Sequence, residues 1–163
     1  MTSIQSPASA QDKTAMYFVV PVLPDEHGIE EVRYYAPEPG ASRWNPVRPA
    51  DLDARAQGAT ADQVMLYQPS RADILEHTDL SADKLDTCST LYGGVARTLE
   101  TSIDTLPSIC AFDGNGFMTV PVNPGSRRGL ILIFTKKSGD DKPAQIVKLI
   151  ATTDPEIKNG VGS

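Results

Sequence analysis

Apolar residues run along this chain in short bursts separated by turn-forming clusters, and the period within each burst sets the element it predicts. Residues 16–23 (MYFVVPVL) are aromatic and β-branched and predict a first strand, with Pro21 confining it to a sheet edge or to a bulge near its end. A turn at 24–28 (PDEHG) and a return through 29–36 (IEEVRYYA) make a hairpin that is polar on at least one face. Residues 63–68 (QVMLYQ) predict a short strand, and Ser70 is placed to cap a helical turn through RADILEHT.

The longest regular pattern follows. Leu85, Cys88, Tyr92, Val95, Leu99, Ile103 and Leu106 recur at steps of three and four, a helical stripe. Ser81 as cap, Asp83 in the first turn and Pro107 as stop agree with a helix over about 81–106. Gly93-Gly94 in its middle would cost about 1–2 kcal/mol against alanines, so they serve close packing or split the helix in two.

Beyond Pro107, residues 108–112 and 117–122 flank Asp113-Gly114-Asn115-Gly116 and predict a β-hairpin. Residues 129–135 (GLILIFT) are continuously apolar, which predicts a central strand covered on both faces, and 144–152 (AQIVKLIAT) a last strand. The expected fold is α+β, with a mostly antiparallel sheet of about six or seven short strands packed against one long helix. It forms a single domain over 15–153, preceded by a flexible or partner-docked arm (1–14) and followed by a polar tail (154–163). Residues 37–62 show neither period and read as a long surface loop, the kind of segment that often carries function. Its Trp44, the only tryptophan, is either an exposed anchor for a partner or a plug folded back into the core.

Charge adds a second layer. The chain carries a net −6, and residues 1–80 hold 12 acidic and 6 basic side chains, whereas 81–163 hold 9 of each. Within the second half, Arg127, Arg128, Lys136, Lys137, Lys142 and Lys148 face only Asp140 and Asp141 over 127–148, a local basic strip. An acidic chain without interleaved aromatics on that strip argues against nucleic acid as a partner. No window is apolar enough for a membrane span, and 1–14 lack the basic and apolar regions of an intact secretory signal, although Ala8-Ser9-Ala10 would suit a signal peptidase.

Candidate chemistry is sparse. His27 and His77 are the only histidines, with Glu26 and Glu76 beside them. Cys88 on the apolar stripe reads as a small buried hydrophobe; a Cys88–Cys110 disulfide would tie helix to sheet in an oxidising compartment, and two free thiols are the equal alternative. Asp113-Gly114-Asn115-Gly116 begins like a calcium loop, but Pro124 stands at the twelfth position where a bidentate Glu is needed. No phosphate-binding, zinc-protease or nucleophile-elbow motif occurs, and no metal or other cofactor is expected.

These features favour a non-enzymatic interaction or assembly module that binds another protein or copies of itself. Trp44, Arg43, Arg127, Arg128, Lys136 and Lys137 are the candidate contact residues. One form is a structural subunit of a virus, phage or secretion-type particle; another is a small acidic inhibitor or immunity-type protein that plugs a partner's cleft. The competing class is an enzyme with an unrecognised site built on His27 or His77.

Overall fold

The computed structural model describes residues 12–24, 31–98, 108–111, 117–136, 149–151 and 155–160. In chain order its elements are β1 (Ala15–Val22), β2 (Glu31–Ala36), β3 (Asn45–Val47), β4 (Leu52–Asp53), β5 (Gln63–Tyr67), α1 (Arg71–His77), β6 (Ser89–Thr98), β7 (Ser108–Ala111), β8 (Phe117–Pro121), β9 (Arg127–Lys136), β10 (Leu149–Ala151) and β11 (Glu156–Lys158). One sheet has the order β3-β2-β1-β5-β8, and the other β4-β11-β9-β6-β7 with β10 also paired to β9. The α+β class holds, but the strands divide between two sheets and both are mixed: β1–β5 and β11–β4 run parallel while the other ladders are antiparallel.

The two sheets pack face to face. From the first come Tyr17, Val19, Val64, Leu66, Met118 and Val120, and from the second Leu52, Leu91, Ala96, Leu130, Leu132, Phe134 and Ile157, all in one buried cluster. Each fully buried aliphatic side chain here contributes about 1.5–3 kcal/mol, so this interlayer is the main source of stability. The opposite face of the first sheet is also covered: Phe18, Val20, Val22 and Tyr35 pack against Ile74 of α1 and against Leu80 and Leu85 of the segment that follows it. Buried on both faces, β1 accounts for its unbroken apolar run. Ser70 caps α1 as expected, accepting a hydrogen bond from the Asp73 N–H at 3.2 Å.

Several expectations are corrected. The long helix over 81–106 does not form: residues 82–84 make one 3-10 turn, and Ser89–Thr98 is strand β6, with 99–107 outside the described residues. The ladder of β6 on β9 runs from Ser89↔Lys136 to Thr98↔Arg128. That long-range pairing suits the aromatic, β-branched and glycine content of STLYGGVART, which is poor helix material. A register shift between Leu91 and Gly93 explains the misleading spacing, because an extra residue resets the inward and outward alternation and a step of three can keep to one face. Gly94 does serve close packing, but in a strand: a Cβ there would lie 2.9 Å from the Ile131 carbonyl oxygen.

Strands β7 and β8 are not partners either. The first pairs with β6 and the second with β5, in different sheets; turn composition signals a reversal without saying which strand receives it. β9 is central as expected, yet only one face is fully covered, since Leu130, Leu132 and Phe134 are buried while Ile131 is 45% exposed. β1 is central rather than an edge. Pro21 is tolerated near its end, where the parallel partner β5 has finished and the Pro21 carbonyl accepts from the Asp86 N–H at 3.2 Å.

The 37–62 stretch is more than a surface loop, because it crosses from the first sheet (β3) to the second (β4) and buries Leu52, Ala54, Ala59 and Ala61. Gln57, in the left-handed region at φ 60, grips the Met16 backbone: its amide donates to the Met16 carbonyl at 2.7 Å and accepts from the Met16 N–H at 3.0 Å. The expected polar tail supplies β11, with Ile157 and Asn159 fully buried. No helix among the described residues is long and apolar enough to cross a membrane.

Candidate functional site

The aromatic loop residue and the end of the helix meet. Trp44 stacks on Phe18 with ring centroids 4.0 Å apart and on His77 at 5.0 Å, so both indole faces are occupied. Backbone bonds clamp this arrangement: the Trp44 N–H donates to the His77 carbonyl at 2.9 Å, and His77 Nδ1–H donates to the Ser42 carbonyl at 2.6 Å. Its Nε2 lies 3.8 Å from a Glu76 carboxylate oxygen. Trp44 is therefore neither of the two simple alternatives. It is half-buried, and what it offers to solvent is a ring edge.

That edge lines a cleft of about 480 Å³ between β2, β3 and the end of α1, together with Arg33, Tyr35, Arg43, Pro46, His77 and Asp79. The alternation of β2 explains its walls. Tyr35 projects onto the α1 side of the sheet, where burial pushes its phenol above the ordinary value against the opposing hydrogen bond and charge of Arg33. Arg33 pairs with Glu31 at 3.6 Å, and Arg43 pairs with Asp79 across the mouth. Pro46 lies on edge strand β3, where its missing N–H blunts pairing with a foreign strand.

Of the expected contact residues, the structure brings Trp44 and Arg43 together in this cleft and places Arg127 and Arg128 elsewhere. Arg127 lies at the start of β9, 4.0 Å from Glu156. Arg128 is not a surface residue: it is buried, donating to the Pro121 carbonyl at 2.8 Å and the Ala96 carbonyl at 2.9 Å, and so ties the two sheets. Its strand position alternates inward beside Ile157, which charge counting along the chain cannot detect. The backbone of Lys136 ends β9, whereas its side chain, Lys137 and His27 lie outside the described residues. Cys88 is a half-buried free thiol, one of the two alternatives for the pair; the Cys110 backbone pairs with Gly94 of β6, and its side chain lies outside the described residues.

No family model, curated protein or solved structure matches the chain. The cleft must therefore be read from its own chemistry. Tyr35 and Arg33 were missed from sequence although the hairpin 29–36 was recognised; the signal lay in the concentration of Arg, Tyr and Trp on two segments that only pairing brings together. A second hollow of about 420 Å³, between the start of α1 and the Leu85–Thr90 segment, contains Asp86. There the carboxylate accepts from the Cys88 and Ser89 N–H groups at 3.0 and 3.1 Å and from the Ser89 hydroxyl at 2.6 Å, which satisfies a turn into β6. Asp73, Glu76 and His77 bring one ligand atom each within 4.8 Å of one another, with both acids exposed, an arrangement common on solvated helices.

Proposed function

We propose that this chain is a non-enzymatic protein-interaction module that receives a partner's side chains in the Trp44 cleft. The observation that carries the reading is compositional and geometric together: Trp44, Tyr35, Arg33 and Arg43, the residue types that dominate binding energy at protein interfaces, line one concave surface. The cleft is pre-formed, since Trp44 is held by rings on both faces and by two backbone-directed hydrogen bonds, so binding pays little ordering entropy there. The ion pairs at its mouth are exposed and exchange partners at small cost.

The test uses the single tryptophan as its own probe. Peptides selected from a display library on the immobilised full chain are titrated while Trp44 emission is followed. The expected result is binders that shift the emission and lose at least tenfold in affinity on Arg43→Ala, a truncation of an exposed side chain that should move stability by less than about 1 kcal/mol. Selected binders that leave both the emission and the Arg43→Ala affinity unchanged would place recognition elsewhere and overturn the proposal.

A further inference from the structure

The Asp73, Glu76 and His77 cluster at the end of α1 is set apart from an ordinary solvated helix face by its histidine. Positions i, i+3 and i+4 share one face of the helix, and one ligand atom from each lies within 4.8 Å of the other two. Both acids are exposed, and among the described residues neither pairs with a lysine or an arginine; two unneutralised carboxylates side by side favour a cation between them. The His77 side chain is 30% exposed, and groups outside the cluster fix its ring. Trp44 stacks on it at a centroid distance of 5.0 Å, and Nδ1–H donates to the Ser42 carbonyl at 2.6 Å, from a segment 35 residues earlier in the chain.

A histidine that binds a metal characteristically donates its other ring N–H to a backbone carbonyl or a carboxylate, which orients the ring and raises the basicity of the ligating nitrogen. His77 has that support from Ser42. The nitrogen left for a ligand is Nε2, which has no hydrogen-bond partner among the described residues and lies 3.8 Å from the Glu76 carboxylate. We propose that Asp73, Glu76 and His77 bind a divalent first-row transition metal ion, of which Zn²⁺ is the type, through Nε2 and one oxygen of each carboxylate. An imidazole in the set favours Zn²⁺ or Ni²⁺ over Mg²⁺ and Ca²⁺, which take oxygen ligands. Closing from the present spacing to metal–ligand bonds of about 2.0–2.2 Å falls to the two exposed carboxylates, because the histidine is already held. Three protein ligands leave the fourth tetrahedral position to water. The site adjoins the Trp44 cleft through His77 but does not rest on the cleft receiving a partner.

The experiment titrates the full chain with Ni²⁺ while Trp44 emission is followed, since an ion on Nε2 stands one imidazole ring away from the indole and quenches it. The expected result is saturable quenching below about 1 mM Ni²⁺, reversed by excess Zn²⁺, and a Tm that rises with Zn²⁺ concentration. Asp73→Asn and Glu76→Gln keep the shape of exposed side chains and leave the fold intact, and each should weaken Ni²⁺ binding at least tenfold. Glu38→Gln, an exposed acid outside the cluster, and His27→Ala, at the other histidine, should leave the titration unchanged. No saturation up to about 1 mM Ni²⁺, quenching indifferent to Asp73→Asn or to Glu76→Gln, or quenching lost with His27→Ala overturns the inference, and none of these outcomes bears on the peptide test of the cleft.

Discussion

Gly94 is where the register of the second sheet is most exposed to a small change. A Cβ at that position would stand 2.9 Å from the Ile131 carbonyl oxygen and 3.3 Å from both Leu130 Cδ1 and Met118 Cε. The two side-chain tips can give by a few tenths of an ångström, but the oxygen belongs to β9, which is held by β6 on one side and by β10 and β11 on the other. Relieving the contact means moving backbone. Overpacking of this kind costs about 1–3 kcal/mol, offset in part by the loss of about 0.4–1 kcal/mol of unfolded-state freedom that any Gly→Ala change brings. Gly94→Ala should therefore lose about 1–2 kcal/mol, a drop of roughly 2–8 °C in Tm for a chain of this size, with an unchanged denaturant m-value.

The contrast is Gly125, whose φ of +73 is left-handed but whose Cβ would meet nothing within 4 Å. There the penalty of alanine is conformational, so Gly125→Asn should recover most of it, whereas Gly94→Asn should be worse than Gly94→Ala. Paired urea denaturation of the four variants reads both effects. A Gly94→Ala protein as stable as the parent would mean that the sheet has slack at this point, and the close-approach reasoning would fail.

Two further outcomes follow from buried polar groups. Arg128→Ala should lose about 2–4 kcal/mol, because it removes charge-assisted hydrogen bonds to the Pro121 and Ala96 carbonyls; thermal melts check it, and a change under about 0.5 kcal/mol would show that the side chain contributes only surface charge. The Tyr17 hydroxyl donates to the Asp53 carbonyl at 3.1 Å and accepts from the Asp53 N–H at 2.9 Å, and burial raises its pKa above the ordinary 10.0. The neutral phenol is the folded form, so its contribution is complete below pH 10 and falls as pH rises from there through the raised folded value. Tyr17→Phe should cost about 1–2 kcal/mol at pH 8, a difference that narrows above pH 10 when denaturation midpoints are compared; a constant gap would refute the assignment.

Local chemistry was legible in the sequence where it acts locally. Ser70 announced α1, the residues flanking 24–28 announced the β1–β2 pair, and the apolar runs marked β1, β5 and β9. What failed was partner choice. In the stripe through Leu85, Cys88, Tyr92 and Val95, the step from Tyr92 to Val95 looks helical because a register shift keeps both on one face of a strand, and only the ladder on β9, some forty residues away, decides for that strand. Arg128 counted as part of a basic strip because one-dimensional charge tallies ignore alternation. Of the cleft, Trp44 and Arg43 were visible; Tyr35, Arg33, His77 and Asp79 reach it only after β2 pairs with β3 and α1 closes the end.

The two apolar strands differ in what covers them. Residues 16–23 and 129–135 look alike in sequence, yet β1 is buried on both faces, under the second sheet on one side and α1 with Leu80 and Leu85 on the other. β9 is also continuously apolar over 130–134, yet only one of its faces is fully covered, with Ile131 45% exposed. Covering an isoleucine of that exposure recovers part of the roughly 25 cal/mol per Å² that the first sheet already gains through α1.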